Sequence, residues 1–181
     1  MNWKEIIVED TKRWASMSGT TCNMKFFIKT FLHTPEFRRL IHYRIKYTPL
    51  RFLRPLTKIV SDGINCYLWT KEIGPGLKID HGFSTIVSAK SIGKNFRLFQ
   101  QVTIGWGGVM DADGYHVPTI GDDVTIHPGA KIFGGIRIGN DVEIGANAVV
   151  IRDVPDHSIV AGVPAKIIKT RVNKNHDWHR L

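Results

Sequence analysis

The chain has little of what would mark several protein classes. Among 181 residues there are two cysteines, Cys22 and Cys66, far apart and without metal-type spacing. That excludes a disulfide framework and fits a reducing cytosol. No apolar run approaches the roughly 18 residues of a membrane-spanning helix. The start, "MNWKEIIVED", carries acids and no apolar core, so a secretory signal is not expected. Acid is scarce at both ends. Residues 1–60 hold twelve Lys and Arg against four acids, and residues 166–181 hold five against one, whereas residues 61–165 are net −3. Such ends suit an anionic cofactor, a membrane surface, an acidic polysaccharide or nucleic acid, or simply solvent. A hydrophobic fraction of 43% is enough for a core, so global disorder is excluded.

Two textures are present. Residues 1–60 read as helical. In "LHTPEFRRLIHYRIKY", Thr34 is a candidate cap, Pro35 suits the first helical position, and Phe37, Leu40, Ile41 and Ile45 make one apolar stripe opposite Arg38, Arg39, His42 and Lys46. This basic amphipathic helix either packs against the rest of the protein or lies on a membrane. Pro49 ends it, and "PLTKIV" from Pro55 offers a short further helix. From residue 73 aliphatic residues recur at 73, 79, 86, 92, 98 and 104, then at 120, 126, 132, 138, 144 and 150, often followed by glycine. The fourth residue after many of them is small or apolar: Val102, Val124, Ala130, Ile136, Val142, Ala148. A six-residue period predicts a parallel β-helix whose coils stack with these residues inward. A helical period of 3.6 cannot produce it. The resulting division is a helical segment at 1–60, a β-helix at 61–168 and a basic tail at 169–181 that either assists binding or is disordered.

The count of six fails twice. "IDHGFSTIV" spends an extra residue between Ile79 and Ile86, and sixteen residues separate Ile104 from Ile120. The second break predicts a loop over residues 105–118. In a solenoid, insertions gather on the binding face. Each break brings a histidine, the side chain best suited to move a proton near neutral pH: His81 in the first, His116 in the second. His127 and His157 stay in register and read as structural.

The motifs "IDHGFSTIV", "FQQVTIG", "HVPTIGDDVTIHPGAKIFGGIRIG" and "VEIGANAVVIRDVPDHSIVAGVPAKII" resemble the hexapeptide-repeat acyltransferases, in their serine O-acetyltransferase-like branch. The resemblance implies a left-handed parallel β-helix, the exception to right-handed crossovers, and a homotrimer with active sites between subunits. It implies acetyl-CoA as co-substrate and no metal. His81 matches the family's catalytic histidine, and Asp80 an acidic position of the acceptor pocket. Acetyl-CoA contacts fall at Gly129, Ala130, Gly145 and Ala146, with Lys166 toward a phosphate. Two departures stand out: Cys66 occupies the place, fifteen residues before His81, of the carboxylate that orients the imidazole, and "YHVPTI" lacks the arginine that precedes the proline matched by Pro118. A guanidinium suits an amino-acid carboxylate. Its loss favours a saccharide in surface-polysaccharide assembly over serine, with His116 and Trp106 at the acceptor and Trp69 or Tyr115 available to stack on a sugar ring. No nucleic-acid partner is expected. The expected location is the cytoplasm, with the helical segment available to touch the inner face of the membrane. Two rivals remain: a zinc enzyme using His81, His116 and His127, as in gamma-class carbonic anhydrases, whose motif spacing is not reproduced, and a non-catalytic trimeric scaffold for polyanions.

Overall fold

A computed structural model describes residues 2–55 and 65–180; the expected helix from Pro55 lies largely outside them. Three helices come first, α1 (Trp3–Met17), α2 (Met24–His33) and α3 (Pro35–Lys46), followed by a 3-10 turn at Pro49–Leu53. Asn2 and Glu5 form a reciprocal capping box on α1. Thr34 precedes α3, but its hydroxyl makes no cap bond; Pro35 and the extended backbone of Thr34 set the start instead.

From Cys66 onward the described residues form a left-handed parallel β-helix of three faces. Face one stacks β1 (Cys66–Leu68), β3 (Thr85–Val87), β6 (Thr103–Gly105), β9 (Lys131–Phe133) and β12 (Val149–Val150). Face two stacks β4 (Ser91–Ile92), β7 (Thr119–Ile120) and β10 (Arg137–Ile138). Face three stacks β2 (Lys78–Ile79), β5 (Arg97–Leu98), β8 (Thr125–Ile126), β11 (Glu143–Ile144) and β13 (Ser158–Ala161). It continues antiparallel into β14 (Lys166–Thr170) and β15 (His179–Arg180), so the basic tail folds back onto the last coil.

Each face contributes one aliphatic ladder to the core. On face three, Ile79, Leu98, Ile126, Ile144 and Val160 lie in direct register. On face one the ladder is Leu68, Val87, Ile104, Ile132 and Val150. The second set, including Val102, Val124, Ala130, Val142 and Ala148, is fully buried at the corners. One position corrects the six-residue reading: Val87, not Ile86, is the inward residue of its coil, because Val87 pairs with Ile104 and Ile86 with Thr103.

The helices close the open end of this stack. The first coil has no preceding coil, so its backbone groups need other partners. Asp10 accepts from the backbone N–H of Gly76 and Leu77, while Arg44 donates to the carbonyls of Ile73 and Gly74. The two side chains also pair with each other at 2.8 Å, and both are buried. Trp14 donates to the Leu77 carbonyl and Tyr43 to that of Thr70. The apolar stripe of α3 faces inward: Phe37, Leu40, Ile41 and Ile45 are all buried. Packing, not a membrane, takes that stripe.

Candidate functional site

Where face three turns into face one, regular coils place one residue in the left-handed region, three after the inward aliphatic: Gln101, Gly129 and Asn147. In the first full coil the equivalent residue is Ser84, five after Ile79, and Phe83 accepts from Gln101 as Gln100 does from Gly129. Asp80 still donates to Leu98 in register. The insertion is therefore two residues, His81 and Gly82, and the step from Val87 to Ile92 is one short, which returns the coil to a surplus of one. His81 itself has φ 58° and is exposed. A non-glycine residue there is uncommon, though histidine is among the more tolerant, and such positions concentrate at functional sites.

Gly82 makes the turn feasible. A Cβ on it would stand 2.5 Å from the Ile79 Cγ2 atom and 3.5 Å from the Cys66 sulfur. Cys66 thus packs beneath the His81 turn as a buried wall. It offers no carboxylate.

Next to His81, Asp80 receives Arg97 Nε at 2.6 Å on one oxygen and faces Lys78 Nζ at 3.2 Å on the other. Burial pulls the Lys78 ammonium below its ordinary value, with Asp80 acting the other way. The Arg97 guanidinium lies over the Phe99 ring, and Phe99 stacks on His127, which faces Glu143 at 3.6 Å. His127 is thus held in a surface row on face three. Arg97 is the residue sequence reasoning missed: only the register of one coil on the next brings it beside Asp80.

The same corner column carries Gly129, Gly145 and Ala146. A Cβ on Gly129, whose φ is 75°, would fall on the side-chain oxygen of Asn147, so the Asn147 side chain lies directly against this glycine. Ala130 is fully buried, its N–H donating to the His127 carbonyl and its own carbonyl accepting from Thr103. Lys166 is exposed on β14, at the rim of a cleft of about 330 Å³ that also includes Arg152 and Pro164.

The loop expected at 105–118 leaves the stack between faces one and two, a different corner from that of His81. It is an ordered excursion. Gly107 donates to the His116 carbonyl, Asp111 accepts from the backbone of Asp113 and Tyr115, and Lys90 reaches Asp111 at 3.0 Å. His116 Nδ1 lies 3.1 Å from the Gly107 carbonyl, and its ring is 5.3 Å from that of Trp106. Trp106 is 68% exposed. Trp106 and His116 meet, and Asp80 immediately precedes His81, but the two pairs sit at separate corners of one chain. Among the described residues no group of three or more His, Cys, Asp or Glu is arranged to hold a metal ion. His157 is engaged elsewhere, its Nδ1 2.7 Å from Asp141.

The bacterial transferase hexapeptide (six repeats) family matches residues 118–152. A serine acetyltransferase of Staphylococcus aureus is 39% identical over 140 residues, covering 75% of this chain and 64% of that protein. One from Staphylococcus epidermidis is 37% identical over the same length and the same shares. The chain resembles the hexapeptide-repeat acyltransferases, in their serine acetyltransferase-like branch. The crystal structure of Neisseria gonorrhoeae serine acetyltransferase superposes with a TM-score of 0.68 at 28% identity, over 95% of this chain and 67% of that one. The same enzyme in complex with serine gives 0.67 at 26%, over 92% and 69%. This chain spans about 64% of the length of the curated relatives it matches.

Proposed function

We propose that this protein is an acetyl-CoA-dependent O-acetyltransferase in which His81 is the general base. The observation that carries this reading is the two-residue insertion that sets His81, at φ 58°, outside an otherwise uniform wall. In the proposed step, the His81 imidazole takes the proton of an acceptor hydroxyl as its oxygen attacks the thioester carbonyl. A backbone N–H stabilises the tetrahedral oxyanion. Collapse breaks the carbon–sulfur bond, and the leaving thiolate recovers the proton from the imidazolium. Acetyl-CoA is placed along the corner column of Gly129, Ala130, Gly145 and Ala146, with Lys166 near a phosphate.

The acceptor we infer is a small hydroxyl compound with a carboxylate, of the serine kind. The relatives' names favour it, and Arg97 supplies beside Asp80 the guanidinium that the loop lacks. A saccharide is the second reading, supported by the exposed Trp106 and Tyr115 rings on the loop and the Tyr67–Trp69 pair, 6.1 Å apart, on face one. Because His81 and the loop occupy different corners, a site using both needs two chains, which supports a homotrimer with shared active sites.

Thiol release from acetyl-CoA against serine and a panel of sugars tests the reading. His81→Ala should lower the rate about 10²- to 10⁴-fold with the fold intact. An unchanged rate overturns His81 as the base, and no acyl transfer to any acceptor overturns the enzyme reading and leaves the non-catalytic scaffold.

A further inference from the structure

Helix α2, "MKFFIKTFLH", divides its surface unusually. Phe27 and Phe31 turn toward the core, with Phe27 edge-on to Phe37 at 5.5 Å. Four-residue spacing then lines Met24, Ile28 and Leu32 along the outside, where they are 72%, 51% and 55% exposed. Lys25, Lys29 and His33 form a second exposed stripe directly beside them. Arg38 donates to the Phe31 and Leu32 carbonyls, so the C-terminal end of α2 is fixed and the stripe has a defined direction. At its N-terminal end the stripe runs into an apolar groove of about 350 Å³ between α1 and α2, lined by Ile7, Val8, Cys22, Met24 and Phe27.

Isolated surface leucines need no explanation, but three aligned large apolar residues continuous with an apolar groove do. Charge decides the partner. Helix α2 carries Lys25 and Lys29 and no acid. A second copy docking through this face would press like charges together, since a two-fold contact uses the same patch twice. An anionic bilayer answers both stripes at once, taking apolar side chains at the level of the acyl boundary and lysines at the headgroups.

We propose that the outward face of α2 docks on an anionic lipid surface, with Met24, Ile28 and Leu32 inserted and Lys25 and Lys29 over the headgroups. The site described above is independent of this contact. Helices α1 and α3 pack on the first coil through Trp14, Tyr43 and Arg44. In the threefold assembly proposed above, all three α2 helices therefore lie toward one end of the prism and add their affinities.

The test is co-sedimentation of the full chain with vesicles of phosphatidylcholine alone and of phosphatidylcholine mixed with phosphatidylglycerol. Binding is expected only to the mixed vesicles, weakening as salt rises. Lys25→Gln with Lys29→Gln should weaken it about 30-fold, near five-fold for each lysine. Ile28→Asp should abolish it while thiol release continues. Equal binding to both vesicles, or binding indifferent to these variants, overturns the proposal. So does absence of vesicle binding, and if Ile28→Asp then changes the sedimentation coefficient, the face belongs to a protein interface instead.

Discussion

The two ends of the β-helix solve one problem in opposite ways. A stack of coils presents unpaired backbone at its first and last turns, an invitation to further pairing. At the last turn the chain answers with more backbone, β14 pairing antiparallel with β13 and β15 antiparallel with β14. At the first it answers with side chains borne on helices: Asp10, Trp14, Tyr43 and Arg44 reach individual N–H and carbonyl groups. A strand edge tolerates local loss, because each bond is one of a row. A side-chain cap concentrates several bonds in one residue. The candidate site, at Asp80 and His81, follows directly after the coil that is capped this way.

If that contrast is right, the largest effect on stability comes from Arg44. Its removal takes the countercharge from the buried Asp10 carboxyl, whose pKa burial already raises, and frees two carbonyls. Arg44→Ala should cost about 3–5 kcal/mol, read from urea unfolding. A loss no greater than that of a surface substitution would show that the helices ride on the prism rather than close it.

Gly82 sharpens the comparison at the site itself. Ile79 is buried in its ladder and has little room to yield, so the methyl of Gly82→Ala, 2.5 Å from Ile79 Cγ2, forces the turn outward. The expected cost is about 1–3 kcal/mol, as for overpacking. Since His81 shares that turn, thiol release should fall by more than the loss of folded protein explains. Equal losses in both would separate the turn from the chemistry.

How much of this was legible follows from range. The period of six announces coils, and the ladders through Ile79, Leu98, Ile126 and Ile144 stand where it puts them. The choice between Ile86 and Val87 was not readable. Both are aliphatic, and a shortened step to Ile92 hides one of the two inserted residues. Asp10 and Arg44 lie 34 positions apart on separate helices with no local sign of their pairing. Arg97 became visible only when β5 was set against β2. On α2 the amphipathic spacing was in the sequence, but which face the core takes is decided by packing. Phe27 and Phe31 took that place and left Met24, Ile28 and Leu32 outside.

The smallest effect belongs to the other end. Asp141, at φ 55°, accepts from Arg171 at 2.9 Å through Nε and lies 2.7 Å from His157 Nδ1, tying the tail to the corner of faces two and three. Burial raises its carboxyl pKa, but the hydrogen bonds from Arg171 and His157 outweigh burial and hold it below the ordinary carboxylate value. A carboxyl that is more acidic when folded stabilises fully above the unfolded value of about 4 and loses that contribution as pH falls through the folded one. Asp141→Asn should therefore cost about 1 kcal/mol near neutral pH. The gap in melting temperature between the parent and this variant should narrow below about pH 4, because the parent's carboxylate then takes up its proton. A gap that stays constant through that range would mean that Arg171 fastens the tail through its packing on Trp178, 4.1 Å away, and that charge contributes nothing to closing this end.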